Sequence, residues 1–252
     1  MQEMMLARAK ALLQSGDVQR VLGWQTGEFV YDVTPAAFET AEELDAKFVY
    51  NDFCGSNLSK YLVKESRKEG RVLVFLKPCD TYSFNQLIKE HRIARENIYV
   101  IGVPCAGKTD GETLKALGLK GILGVKDAGD SFTLETLYGE KTVSKQEALP
   151  ERCRSCKSHK HMVYDELLGE EGEVLDSHRF DMVEKIESMS ADERFAFWQG
   201  ELSRCIRCNA CRNVCPACTC EKCVFDNENS GIAQKAAADS FEESMFHIIR
   251  AF

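Results

Sequence analysis

A chain of 252 residues with 44% apolar content is long enough to bury one large domain, or a core domain with a smaller appendage, so a globular fold is expected. The formal net charge of −8 excludes a general nucleic-acid binder, which needs a basic face to neutralise phosphates, and favours basic protein patches as partners. No apolar stretch reaches membrane-spanning length, and MQEMMLARAKALLQSGD lacks the apolar core of a signal peptide, so a cytoplasmic protein without direct membrane insertion is expected.

Residues 1–15 read as a helix, and VQRVLGW and EFVYDV as short strands. AAFETAEELDA returns as a helix, and KFVYN at 47–51 is again a strand pattern. Ser56 to Glu69 carries a helical charge pattern that stops at Gly70. RVLVFL is then a continuous apolar strand of the buried, parallel type. Asp80 or Thr81 caps a helix running to about Arg92, and NIYVIGV supplies a second buried strand ending at Pro104. This alternation predicts a parallel or mixed sheet with flanking helices and right-handed crossovers. A helix near ETLKALG, strands at ILGVKD and FTLETLYG and a turn at Tyr138 to Glu140 close the first domain, assigned to 1–175. DELLGEEGEVLD reads as a solvated loop or linker. The second domain, 180–252, opens with a capping box from Ser190 to Glu193 and a helix through Phe195, Trp198 and Leu202. After the polar turn DNENSG, a helix over AQKAAADSFEESMFHIIRAF ends on apolar residues with no stop signal, so the native chain is expected to continue past Phe252.

Twelve cysteines in a chain without an export signal are more readily metal ligands than a disulfide framework. Cys54, Cys79 and Cys105 are isolated, Cys153 and Cys156 form a C-x2-C pair, and seven crowd between Cys205 and Cys223. The isolated three each follow an expected strand, which places them at the carboxyl edge where open α/β sheets bind ligands. Taken singly, each is equally readable as a small buried hydrophobe.

CIRCNACRNVCP sets Cys205, Cys208, Cys211 and Cys215 at the C-x2-C-x2-C-x3-C-P spacing of bacterial ferredoxins, in which the fourth cysteine serves the other cluster of a pair. Zinc is the competing occupant of two C-x2-C pairs, but a third cysteine followed by Cys-Pro favours iron–sulfur. Behind this motif lie Cys218, Cys220 and Cys223. Either a second cluster forms, with Cys215 crossing over to these three and a fourth ligand for Cys205, Cys208 and Cys211 coming from Cys218 or from beyond Phe252, or some of the thiols are spare. A further site joins Cys79 and Cys105 to the Cys153–Cys156 pair as a four-thiolate cubane. The alternative there is a zinc site that adds His159 and His161 to the pair. The turn NDFCGSN, with Asn51, Cys54, Gly55, Ser56 and Asn57, offers backbone amides at an expected helix start, suited to a phosphate-bearing cofactor. Lys77 and Asp80 flank Cys79 and line the same crevice, and Lys108 is a similar candidate.

The succession YNDFCGSNLSKYL, VLVFLKPCDTYSFNQL, VIGVPCAG and RCRSC resembles the core of the beta subunits of deazaflavin (coenzyme F420)-reducing hydrogenases and related formate dehydrogenases. The resemblance spans residues 10–165 and rests chiefly on the two Pro-Cys turns and the later C-x2-C. It implies a flavin (FAD or FMN) near the NDFCGSN turn and a 4Fe-4S cluster on Cys79, Cys105, Cys153 and Cys156. It also implies partner subunits of the hydrogenase, formate dehydrogenase or heterodisulfide-reductase type. The family usually has Gly-Leu-Pro-Cys-Gln or Gly-Thr-Pro-Cys-Gln where this chain has Leu76-Lys77-Pro78-Cys79-Asp80, and Ser-Gly-Gly where it has Cys54-Gly55-Ser56. The C-terminal part resembles dicluster ferredoxin modules, implying a small helical iron–sulfur domain. The expected function is a non-autonomous electron-transfer subunit with two or three 4Fe-4S clusters and no catalytic side chain of its own. The alternatives are a self-contained flavin reductase and a zinc-stabilised scaffold.

Overall fold

The opening segment forms helix α1 (Gln2–Gln14), whose inner face is Met5, Ala9 and Leu12. Strand β1 (Arg20–Thr26) and its antiparallel partner β2 (Val33–Phe38) follow, then helix α2 (Ala41–Lys47), capped by the Thr40 side chain accepting from the Glu43 N–H. A 3₁₀ turn (Ser59–Tyr61) runs into the one-turn helix α3 (Leu62–Glu65). Strand β3 (Val72–Leu76) is buried at every position, as befits an apolar run covered on both faces. Helix α4 (Pro78–Lys89) leads to strand β4 (Ile98–Gly102).

Helix α5 (Gly111–Ala116) precedes three strands, β5 (Ile122–Asp127), β6 (Ser131–Thr136) and β7 (Gly139–Ser144), which pair antiparallel as a separate sheet. Helices α6 (Lys145–Ala148) and α7 (Glu151–Arg154) return to the main sheet, which ends with the two-residue strand β8 (Glu166–Leu167). The computed structural model describes residues 1–175, 179–206, 208–220 and 223. It divides into two units, Met1–Ser177 and His178–Phe252.

The main sheet has the order β2-β1-β3-β4-β8, with β1, β3, β4 and β8 parallel and β2 antiparallel at the edge. It is therefore a mixed sheet flanked by helices. Its core gathers Trp24, Phe38, Phe48, Phe75 and Phe84 with the aliphatic residues of β3 and β4. The three-stranded sheet has a small core of its own around Phe132, Leu134 and Leu114.

Several local expectations are corrected. EFVYDV is a turn rather than a strand: the Gly27 N–H donates to the Asp32 carbonyl, and Phe29 and Tyr31 stack with ring centroids 5.3 Å apart. The strand begins at Val33 instead, and α2 starts later than AAFETAEELDA suggested because Thr40 caps it. KFVYN makes only one bridge, Phe48 to Gln25. Its apolar character comes from packing Phe48 into the core, not from strand pairing. Ser56 to Glu69 forms only the short Ser59–Glu65 turns, and α4 starts at Pro78, before Asp80. The turn near Tyr138 closes β6 onto β7, a strand not foreseen.

The stretch beginning at Asp165 is no plain linker. It adds β8 alongside β4, and its Asp165 carboxylate accepts from the Val100 N–H at 2.7 Å. In the second unit, helices α8 (Asp181–Glu187), α9 (Ala191–Leu202) and α10 (Ala210–Val214) are described, and α9 carries the Ser190–Glu193 capping box. The DNENSG turn and the expected final helix lie outside the described residues. Among the described residues no helix is long and apolar enough to cross a membrane.

Candidate cysteine-lined site

Strands β3 and β4 are paired in register, Leu76 opposite Gly102, and each continues into a Pro-Cys turn. Cys79 and Cys105 therefore each lie three residues past the last residue of their strand. Leu76 accepts from the Val103 N–H at 2.9 Å, which keeps the two chains together beyond the ladder. Pro78 and Cys79 occupy the first two positions of α4, where proline's fixed φ and missing donor cost nothing and the helix end is electropositive. The C-x2-C pair comes from elsewhere. Cys153 lies in α7, and its N–H donates to the Pro150 carbonyl, while the Cys156 N–H donates back to the Cys153 carbonyl at 3.2 Å.

These three segments meet. Cys79, Cys105, Cys153 and Cys156 line one cavity of about 250 Å³, together with Gly55, Asn57, Lys77, Asp80, Lys108, Arg152 and His159. Among the described residues no three His, Cys, Asp or Glu side chains are already drawn around a common metal position, so the four thiols share a wall rather than a finished cage. Cys79 as a residue is exposed, but desolvation of its thiol at the cavity wall pushes the pKa up, with the Asp80 charge adding to it and Lys77 opposing. Burial also raises Cys105, against a hydrogen bond from the Gly107 backbone and the charges of Lys108 and Lys77. Soft thiols from a sheet edge and a C-x2-C turn are the donor set that an iron–sulfur cluster takes, and they fit that group.

Cations surround the cavity. The Lys77 ammonium is buried, donates to the Ser56 carbonyl at 2.9 Å, pairs with Asp80 at 2.8 Å and lies 4.6 Å from the centre of the Trp24 ring. Burial works to lower its pKa, but attraction to Asp80 and Cys79 outweighs this, so the net shift is upward. Lys108 is 8% exposed, donates to the Asn51 carbonyl at 2.9 Å and sits 4.0 Å above the Tyr50 ring. Burial lowers its pKa, against the pull of Cys105 and Cys54. Arg152 is anchored to Asp110 at 2.8 Å.

The NDFCGSN residues divide. Gly55, Asn57, Lys77 and Asp80 border the cavity, whereas Asn51, Cys54 and Ser56 do not. Cys54 is fully buried in the main core, its thiol accepting from the Asn51 N–H at 3.2 Å. The Asn51 side chain bonds the Val30 carbonyl and the Phe53 N–H. Because KFVYN is not a strand, Cys54 is not at a strand end at all. The segment that follows is a 3₁₀ turn and a four-residue helix, too short to present the N-terminal dipole on which a phosphate site would rest.

His161 is also placed differently from the zinc reading. Its Nε2 lies 3.2 Å from both the Leu76 and Val103 carbonyls, and its Nδ1 lies 3.3 Å from Glu171. Nε2 is thus committed to the ends of β3 and β4 and Nδ1 to Glu171, which removes His161 from a zinc set with Cys153 and Cys156. His159 borders the cavity without it.

In the second unit, Cys205 follows α9, Cys208 precedes the left-handed Asn209, and Cys211 lies in α10. The Cys215 N–H donates to the Cys211 carbonyl and the Cys218 N–H to the Cys215 carbonyl, so the chain coils tightly through the motif. Cys220 is exposed, and Cys223 is half-buried.

No family model matches the chain. It is 24% identical, over an alignment of 277 positions, to the F420-dependent formate dehydrogenase subunit beta of Methanocaldococcus jannaschii, covering 87% of this chain and 73% of that one. It is 23% identical over 278 positions to the F420-dependent formate dehydrogenase 1 subunit beta of Methanococcus maripaludis, covering 86% and 72%. The chain is a homologue of these beta subunits. Among solved structures, a chain of the F420-reducing NiFe hydrogenase complex from Methanosarcina barkeri shares the fold, with a TM-score of 0.53 at 14% identity. That match covers 64% of this chain and spans 61% of the solved one.

Sequence reasoning on this beta-subunit homologue missed Arg152, Gly107 and Ser158 as neighbours of the four cysteines. Arg152 had a signal, since RCRSCK interleaves basic residues with the thiols. Gly107 had one as well, because it stands two residues after Cys105 at φ +117°, where a side chain would be strained.

Proposed function

We propose that this chain is an electron-transfer subunit of a multi-subunit oxidoreductase of the F420-dependent formate dehydrogenase or hydrogenase kind, with a 4Fe-4S cluster on Cys79, Cys105, Cys153 and Cys156. The single observation that carries this is the convergence of four cysteines from three separated segments on one cavity at the carboxyl edge of β3 and β4. A cluster bound there supplies one-electron transfer. The chain's own residues supply thiolate ligation and, chiefly through Lys108, positive charge at the cavity border to offset the anionic thiolates.

The Cys205 to Cys223 run extends the same reading. Its ferredoxin spacing supports one further cluster on Cys205, Cys208, Cys211 and Cys215, and a third if Cys218, Cys220 and Cys223 are joined by a fourth ligand from outside the run. The chain then passes electrons between partner redox subunits and needs no catalytic side chain. FAD or FMN is not assigned to the NDFCGSN turn, because Asn51 and Cys54 are spent on packing there. Iron and acid-labile sulfide per chain after anaerobic purification, with absorption spectra, test the reading. A colourless protein containing zinc and no iron overturns it.

A further inference from the structure

Three cations border the cavity, and they are not equivalent. Lys77 is neutralised by Asp80 at 2.8 Å, and Arg152 is held by Asp110 with its side chain 59% exposed. Lys108 is more than nine-tenths buried, and among the described residues it makes no ion pair. Its partners are a neutral carbonyl, Asn51 O at 2.9 Å, and the face of Tyr50, with the Asp52 carboxylate acting only from beyond ion-pair distance. A buried ammonium without a counter-ion is costly, and an anion brought into the cavity would offset that cost. Lys108 borders the same cavity as Cys105, three residues along the PCAGK turn.

The geometry points to Lys108 as the electrostatic positioning residue of this centre, the built-in counter-charge that raises the reduction potential of a thiolate-held cluster in the cavity. Reduction adds one negative charge to the cluster, and a fixed cation in a low-dielectric site favours that more anionic state. Tyr50 below and the Asn51 carbonyl beside it hold the ammonium in place, so its effect acts from a defined position. The inference rests on the cluster reading above and deepens it.

The test is an EPR-monitored redox titration of the anaerobically purified full chain, comparing wild type, Lys108→Met and Lys108→Arg, with Cys79→Ser identifying the cavity signal. Lys108→Met is expected to shift the midpoint of that signal to a more negative potential, while Lys108→Arg stays near wild type. Loss of the signal in Lys108→Met with retention in Lys108→Arg also supports the assignment, because charge is then required for assembly. An unchanged midpoint in Lys108→Met, or loss in both variants, overturns it. If Cys79→Ser removes no signal and no iron, the cluster reading itself fails, which is a distinguishable result.

Discussion

Lys77 and Asp80 form an ion pair at 2.8 Å with both side chains 2% exposed, directly flanking Cys79. The Asp80 carboxylate also accepts from the Lys77 N–H at 3.2 Å and so closes the first turn of α4. Removing one partner of such a pair leaves a buried uncompensated charge. Asp80→Asn is expected to destabilise the first unit by about 3–5 kcal/mol, and Lys77→Met/Asp80→Asn by less than Asp80→Asn alone. Denaturant midpoints of the three proteins check this, and a double variant weaker than the single one contradicts it.

Asp110 ties the α5 cap to the cysteine pair. Its carboxylate accepts from the Thr113 N–H and hydroxyl and from Arg152. Partial burial raises its pKa, but the Thr113 bonds and Arg152 outweigh this and the net shift is downward. A depressed folded pKa means that the stabilisation is complete above the unfolded value, about 3.9, and is lost as pH falls through the lower folded value. Asp110→Ala is expected to cost about 1 kcal/mol at neutral pH. The difference from wild type should shrink as the solution is acidified below about pH 4. Stability measured across that range decides it.

His161 acts on the strand ends rather than on metal. His161→Leu removes the imidazole bond shared by the two carbonyls, leaving Leu76 with the Val103 N–H and Val103 short of a donor, and is expected to cost about 1–3 kcal/mol. Iron and zinc contents per chain should remain those of wild type. A fall in bound zinc in this variant would restore the zinc reading.

Gly107 keeps the PCAGK turn narrow. At φ +117° an added Cβ would be strained and would come within 2.4 Å of Leu149. Gly107→Ala is expected to cost about 1–3 kcal/mol and to lower the iron held by the first unit, read from its thermal midpoint and iron content. Full iron with an unchanged midpoint would mean that the turn accommodates the methyl group.

The parts of the fold legible in the sequence are those fixed by local pattern. RVLVFL and NIYVIGV are continuous apolar runs, and their Pro-Cys continuations led directly to Cys79 and Cys105 beside each other. The Ser190–Glu193 box likewise marked α9. What was hidden depends on distant partners. Strand β8 is two residues long with a charged sequence, and it is held by Arg8 to Glu166 and Arg95 to Asp165 across the fold. Phe29 and Tyr31 look like strand residues but stack on a turn. Cys54 looked like an edge thiol because KFVYN looked like a strand, and the core claimed it instead.

The central claim is that the cavity wall binds iron independently of the C-terminal cysteine run. Iron per full-length chain in Cys79→Ser and Cys208→Ala, purified anaerobically beside wild type, tests it most directly. Each variant is expected to lose about four irons, with losses that add in the double variant. Wild-type iron in Cys79→Ser would contradict the account.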